Sequence, residues 1–493
     1  MSDATRPVPP RRGPLTETQR QMWALDQREP DPGALNLSYA LAVDGPLDVV
    51  ALGEAFRSLV RTHEPLRTIY FAEGDDVVAE VVPAEVAPAA VELAPCLVGE
   101  TEAVRLIRED RSRPFDLATE TPIRARLLRL GPDRHILLVS VHHIAGDGWS
   151  IFVLRQHLTR SYAALKRGDR PDPGVPRVEC LELARSQLEW TRGPAVEPEL
   201  SWWTDRLRGA TARPALLGDH RQPGEIRRQV EALPGALTTE LTTLAKQAGT
   251  SLFVVLLTAF EVLIERWSGC ANVVIGTLAA NRPTADSAAV LGAHYNPLLL
   301  NTDLSGDPSL AECLLRTAER TLAALDRQRL PFAVLAERVK REFGWAAVPG
   351  VVFQMDRYPM EGLALTGCTV TGLYVDDGCE VSTIPAATSA GLTFFVRETG
   401  ARLTLSVLYS GDSFDDGSIR AAMDAYVEVL AALCDAPELP VPDLVLPGPA
   451  PAPAREAAGG SPGRLREMGE IGPVDALSPV GVWHHPHQQG GAA

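Results

Sequence analysis

Val141-His142-His143-Ile144-Ala145-Gly146-Asp147-Gly148-Trp149-Ser150 is the stretch on which the reading of this chain turns. It ends an apolar run over residues 135–141 that reads as a buried strand, opened by the turn signal Gly131-Pro132-Asp133. It precedes an amphipathic helical pattern over residues 151–168 that stops at a glycine. Strand ends held by a rigid scaffold are common places for chemistry-bearing side chains. Neighbouring residues on a strand point to opposite faces, so His142 and His143 are expected to do different jobs. One faces a cavity and the other packs into its support. Gly146 and Gly148 bracket Asp147, which permits a tight turn and close approach of a ligand to the backbone. A lone histidine at a strand end is usually a satisfied polar group. A His-His pair followed by Asp-Gly is read here as catalytic. A metal is not expected, because adjacent histidines would have to bend back to share one and no third ligand stands at helix spacing.

Working outward, strands and helices alternate. Residues 37–44 alternate apolar and polar, with Leu37, Tyr39, Leu41 and Val43 on one face, and a helix follows with Asp48 as its cap. Residues 124–130 form a strand that pairs through the 131–133 turn with 135–141. A polar, proline-rich stretch at 166–177 then breaks the pattern. Beyond it, residues 238–267 read as helical, 272–278 as a short buried strand, and Asp307-Pro308 as the start of another helix. Strands at 351–355, 392–398 and 403–410 and a helix at 417–434 complete the second half. This order predicts an α/β (α+β) fold of two similar halves. The expected organisation is a flexible 1–14, an N-terminal lobe at 15–175, a linker region at 176–200, a C-terminal lobe at 201–436 and a disordered Pro/Ala/Gly-rich tail at 437–493.

The 493 residues exceed what one ordinary core needs, and the hydrophobic fraction of 45% suits a folded protein. A formal net charge of -16 argues against nucleic acid as a partner, since phosphates require a basic surface. Seven scattered cysteines with no C-x-x-C make a disulfide framework or structural zinc unexpected. The N-terminus has no apolar stretch of a secretory signal, and no apolar run reaches the ~18 residues of a membrane span. A cytoplasmic protein with no membrane partner is the expectation.

The central stretch resembles the H-H-x-x-x-D-G motif of condensation domains in nonribosomal peptide synthetases. Other stretches agree in the family's order. Residues 16–25, TETQRQMWAL, resemble the opening S-x-A-Q-x-R-x-W motif, and His63-Glu64-Pro65-Leu66-Arg67-Thr68 is similar to R-H-E-x-L-R-T. Gly292-Ala293-His294-Tyr295-Asn296 matches G-x-F-V-N in part. Pro331-Phe332 stands where the family has Q-D-x-P-F, and Val352-Phe353-Gln354 matches its later F-Q segment. The resemblance spans residues 14 to 436. It implies the fold of chloramphenicol acetyltransferase, two lobes in a V with a channel between them and His143 midway along it. It makes His143 the active-site residue, His142 mainly structural, and Gly148 the glycine that lets substrates approach. Asp147 and Arg67 match a charge pair that braces the loop, and Trp149 is expected to pack.

Departures from the pattern fall in the second half. His294 and Tyr295 replace residues that are usually apolar, Cys180-Leu181-Glu182-Leu183-Ala184 echoes the Y-x-D-Y-A motif weakly, and Arg329-Leu330 replaces Q-D. Tyr295, Asn296 and His294 are therefore candidates for the acceptor side of the channel, although His294 alone reads as a packing or surface residue. Gly459-Gly460-Ser461 lacks the flanking helices of a carrier, and Trp483-His484-His485-Pro486-His487 reads as incidental tail histidines.

What the resemblance implies is a free-standing condensation enzyme like those of enediyne-type natural product biosynthesis. It would transfer an acyl or aminoacyl group from the phosphopantetheine of a peptidyl or acyl carrier protein, met in trans, to a small-molecule alcohol or amine. The product is an ester or amide, and no bound cofactor is called for. A histidine with an ordinary pKa near ~6.5 is neutral enough at pH 7 to take the proton of the attacking group. No G-x-S-x-G elbow is present, which favours direct transfer over an acyl-enzyme. The competing readings are a coenzyme A or lipid acyltransferase sharing the histidine motif, an epimerase relative, and a catalytically silent domain that recruits a partner.

Overall fold

Capping chemistry and strand pairing set the frame of the computed structural model. It describes residues 11–28, 33–85, 91–171, 174, 176–214, 226–345, 348–356, 362–373, 391–399 and 402–447. In chain order the first elements are β1 (Arg11–Pro14), α1 (Glu17–Asp26), β2 (Asn36–Asp44), α2 (Val49–Thr62), β3 (Thr68–Glu73), β4 (Asp76–Val81) and β5 (Val91–Leu97). Next come α3 (Glu100–Ser112), β6 (Ile123–Arg129), β7 (Arg134–His142), α4 (Gly148–Lys166), α5 (Cys180–Arg192) and α6 (Val196–Leu207). They are followed by β8 (Ile226–Ala232), α7 (Gly235–Gln247), α8 (Leu252–Ser268), β9 (Asn272–Ala279), α9 (Ala285–Ala288), β10 (Asn296–Asp303), α10 (Leu310–Leu325) and α11 (Phe332–Phe343). The last are β11 (Val351–Asp356), β12 (Thr369–Leu373), β13 (Leu392–Thr399), β14 (Arg402–Ser410) and α12 (Asp416–Asp435). The class is the mixed α/β one that the alternating pattern predicts.

The chain divides into two units that interleave in sequence. The first takes residues 1–194, 280–295 and 358–383, and the second takes 195–279, 296–357 and 384–493. This differs from the expected consecutive lobes. β12 pairs antiparallel with β2, so a strand from beyond residue 358 completes the first unit's sheet. The expected linker at 176–200 instead holds α5 and the start of α6. Cys180, Leu181 and Ala184 of α5 are buried, which a composition reading of its proline-rich approach does not reveal.

In the first unit a five-stranded sheet runs β12-β2-β7-β6-β5, with a second sheet of order β1-β4-β3. β7 is central, and residues 135–142 of it are all buried. Strands covered on both faces read as continuous apolar runs, which is how this segment reads. Asp48 caps α2 by accepting the Ala51 N–H at 2.9 Å, as expected. Thr16 and Gln19 form a reciprocal capping box at the start of α1. The N-terminal arm is not wholly flexible. Arg11–Pro14 pairs with β4, and Arg12 bonds Glu80 across the pair.

The second unit has a six-stranded sheet of order β10-β9-β11-β13-β14-β8. Its core is built on α8, whose Val255, Leu256, Leu257, Phe260 and Leu263 are fully buried, with Phe353, Phe394 and Tyr426 packed around Phe260 and one another. The single helical stretch expected at 238–267 is two helices, α7 and α8, meeting at a bend of 106°. Ser251 supplies the break by capping α8 on Val254 N. Ser309, not Asp307, caps α10. Asp307 has φ 51°, a left-handed turn residue ahead of the helix. Residues 437–447, placed in the expected disordered tail, are ordered. Pro440 bridges Ser309, and Val441 and Leu444 are buried. The Gly-Gly-Ser and Trp-His-His segments lie outside the described residues. Among the described residues no single helix is long and apolar enough to cross a membrane.

Candidate active site

The site is built where β7 ends. His142 closes the strand opposite Asn36 of β2, and His143 opens a 3-10 turn over His143–Ala145. The two side chains are therefore separated by a change of backbone conformation as well as by strand alternation. His142 is held at both ring nitrogens. Its Nδ1 accepts the Ile144 N–H at 3.1 Å, so Nε2 carries the proton and donates it to Asp26 Oδ1 at 3.1 Å. Phe115 stands edge-on to this ring, with centroids 6.0 Å apart. His142 has no hydrogen-bonding capacity left, which fits a supporting part.

His143 is in the reverse state. Its Nδ1 lies 2.8 Å from the carbonyl oxygen of Gly146. A carbonyl only accepts, so Nδ1 carries the proton and Nε2 carries the lone pair. Burial depresses the imidazole pKa below 6.5, outweighing the Asp147 charge and the Gly146 bond that raise it. The ring is thus neutral at pH 7 with a basic nitrogen facing away from its anchor. From α1, Gln19 Nε2 bonds Ile144 O at 3.3 Å, so the opening motif braces the same turn.

Asp147 ends the turn and caps α4. Its Oδ1 accepts Ser150 N at 2.9 Å and Ser150 Oγ at 2.8 Å. The expected partner, Arg67, is elsewhere. Arg67 donates to Val82 O at 2.6 Å and lies 3.8 Å from Glu64, its neighbour in the turn before β3. The partner of Asp147 is Arg282, which meets both carboxylate oxygens in parallel, Nη1 to Oδ2 at 2.8 Å and Nη2 to Oδ1 at 3.0 Å. Arg282 also donates to Ala280 O and Gly292 O, both at 3.0 Å. The His294 N–H adds a fifth bond to Asp147 at 3.1 Å. Burial acts to raise the Asp147 pKa, but Arg282 prevails and holds it at about 2. Asp147 is a fixed anion with its acceptor sites filled, and its cation is Arg282 rather than the expected Arg67.

Arg282 was missed because nothing in sequence ties it to Asp147, 135 residues away. The usable signal was a charged residue three positions after the end of β9, behind Asn281, a residue type suited to the left-handed turn it adopts at φ 52°.

The two glycines differ from expectation in part. Gly146 has φ -166°, extended backbone open to any residue, so the turn does not demand glycine there. Gly148 begins α4 directly after the Asp147 cap and is half-buried. Trp149 packs against Phe152 and donates Nε1–H to Ala288 O at 2.8 Å. His294 is buried, bonds Leu291 O at 3.2 Å, and is pushed down to about 4 by burial and Arg282. A Cβ on Gly292, at φ 140°, would meet its Nε2 at 2.6 Å, so glycine is required for His294 to pack there. Tyr295 is brought to His143, with ring centroids 5.5 Å apart. Asn296 falls in the second unit and is spent on structure. Its amide bonds Gln328 O, Leu330 O and Phe332 N, fixing the turn into α11. Among the described residues no three His, Cys, Asp or Glu side chains gather as a metal set.

Residues 11–452 match the family described as Condensation domain. The chain belongs to that family. This condensation domain is 30% identical over 438 residues to one of the linear gramicidin synthase proteins of Brevibacillus parabrevis, covering 87% of this chain and 6% of that protein. It therefore spans a small fraction of that curated relative. It is 33% identical over 338 residues to the phosphinothricin tripeptide synthetase PhsC of Streptomyces viridochromogenes, covering 67% of this chain and 31% of that one. Among solved structures, SgcC5 of Streptomyces globisporus is 28% identical, covers 87% of this chain and 100% of its own, and superposes with a TM-score of 0.67. The X-domain from teicoplanin biosynthesis gives a TM-score of 0.74 at 24% identity over 90% of this chain and 99% of that one, a likeness of fold. Condensation domains are acyl-transferring enzymes of nonribosomal-peptide-type biosynthesis that form amide or ester bonds from carrier-bound substrates.

Proposed function

We propose that this condensation domain moves an acyl or aminoacyl group from the phosphopantetheine thioester of a carrier protein to an alcohol or amine, with His143 as the proton acceptor. The carrying observation is the His143 Nδ1–H bond to Gly146 O, which leaves Nε2 unprotonated in a ring that burial keeps neutral. The attacking oxygen or nitrogen bonds to the thioester carbonyl carbon as Nε2 takes its proton. The C–S bond then breaks, and the leaving sulfur receives that proton. Cys180 is an unsuitable nucleophile, because burial pushes its thiol up to about 12. Direct transfer follows. The structure of SgcC5 holds (R)-(-)-1-(2-naphthyl)-1,2-ethanediol, and the likeness to it favours the alcohol acceptor and an ester product.

The test is a panel of acyl and aminoacyl groups loaded on carrier proteins, and the same groups as coenzyme A thioesters. Each is offered to this diol and to its amino-alcohol counterpart, with products followed by mass spectrometry. Transfer is expected from carriers, with turnover lost in acid as His143 protonates, at a lower pH than an ordinary imidazole because burial depresses its pKa. His143→Ala should lose about 10²–10⁴-fold in kcat at an unchanged melting temperature. Unchanged turnover in that variant overturns the mechanism. Transfer from coenzyme A alone would point to the acyltransferase reading, and no transfer by the wild type to the recruitment reading.

A further inference from the structure

Tyr295 ends the segment that carries Arg282 and His294, and its ring lies 5.5 Å from that of His143 with the planes at 53°. Its backbone is fixed, since Thr18 Oγ1 donates to its carbonyl oxygen at 3.1 Å. Its hydroxyl is barely engaged. Among the described residues its acceptor is the thioether sulfur of Met22, at 3.8 Å. A thioether is a weak acceptor. The stronger acceptors of the site are spent, Gly146 O on His143 and Asp147 on five donors. Burial, and then the Asp147 charge, push the phenol above its usual 10, so it remains a protonated donor. Tyr295 is half-buried, and a hydroxyl held only by a weak acceptor keeps its donor available for a stronger one. Standing against the imidazole that takes the proton, it is placed to serve a ligand.

We infer that the Tyr295 hydroxyl leaves Met22 and donates a hydrogen bond to an oxygen of the substrate held at His143. The inference rests on the transfer reading above. Two substrate oxygens would serve. One is the thioester carbonyl oxygen, which gains negative charge as the nucleophile adds. The other is the hydroxyl of an alcohol acceptor, which would be oriented toward Nε2.

Tyr295→Phe removes the hydroxyl and keeps the ring. It is compared with wild type using the carrier-loaded donor that gives turnover, and 1-(2-naphthyl)-1,2-ethanediol as acceptor. A fall in kcat of about 10²-fold with both KM values kept assigns the bond to the carbonyl oxygen. A rise in acceptor KM of about tenfold, absent with an amine acceptor, assigns it to the alcohol. Met22→Leu, close in volume, is expected within about twofold of wild type in both parameters. Wild-type kinetics in Tyr295→Phe overturn the inference. So does an equal drop in melting temperature in Tyr295→Phe and Met22→Leu without a kinetic change, which would assign the hydroxyl to packing. A wild type inert across the whole panel removes the transfer reading and this inference with it, and is distinguishable from both.

Discussion

Asp147 in the first unit and Glu261 in the second are both fully buried carboxyl groups, and their surroundings drive them in opposite directions. Asp147 faces a guanidinium and three further donors, and stays ionised to about pH 2. Glu261 sits within α8 among apolar side chains. Its partners are the hydroxyls of Thr302 and Thr317, at 2.8 and 2.5 Å. Burial raises it to about 7, and the two hydroxyls only partly oppose that. Hydroxyl donors soften the cost of a buried charge, whereas a bidentate cation reverses the balance. The first unit thus keeps a permanent anion where a loop must be held. The second carries an acid whose charge depends on pH.

Arg282→Met breaks this contrast most severely. It leaves the Asp147 carboxylate buried without its cation, at a cost of about 3–5 kcal/mol. Denaturant unfolding should show that loss, and turnover should fall with it as the turn loses its brace. Adding Asp147→Asn should recover part of the stability. A single variant as stable as wild type would remove the ion pair from the account.

pH sharpens it next. Glu261 has a folded pKa of about 7 against an ordinary 4.5. The folded state therefore binds the extra proton, and its stabilisation is complete below pH 4.5 and lost as pH rises toward and through 7. The loss is about 3 kcal/mol. Asp147 works the other way. Its contribution is present above pH 3.8 and is lost as pH falls through 2. Glu261→Gln should flatten the stability profile between pH 4.5 and 7 and melt higher than wild type at pH 8. An unchanged profile would contradict the assignment.

The smallest effect tests the corrected pairing. Arg67→Met loses a carbonyl bond and a loose contact with Glu64, so it should cost about 1–2 kcal/mol. Its kcat should stay within about twofold of wild type. A loss as deep as that of Arg282→Met would return Arg67 to the loop.

Much of this contrast could be foreseen on one side only. The buried β7, the Asp48 cap and the different surroundings of His142 and His143 were legible, because periodicity and local hydrogen bonding set them. Arg282 was not legible, since a partner 135 residues away leaves no local pattern. β12 was hidden for the same reason, as its pairing to β2 joins distant segments. Ser251 and Ser309 were overlooked because apolar periodicity continues across the α7–α8 bend and Asp307-Pro308 offers a competing helix start. Glu261 lay inside a helical pattern whose apolar character drew the reading away from its one carboxyl.

The Asp147–Arg282 contact also carries a consequence for synthesis. At about 5–20 residues per second, a ribosome needs roughly 7 to 27 s to add the 135 residues between them. During that interval the nascent first unit has its turn sequence but not the cation that seats it. The His143 turn therefore matures only once residue 282 has been made, and a chain released before it would carry both histidines in an unfinished loop.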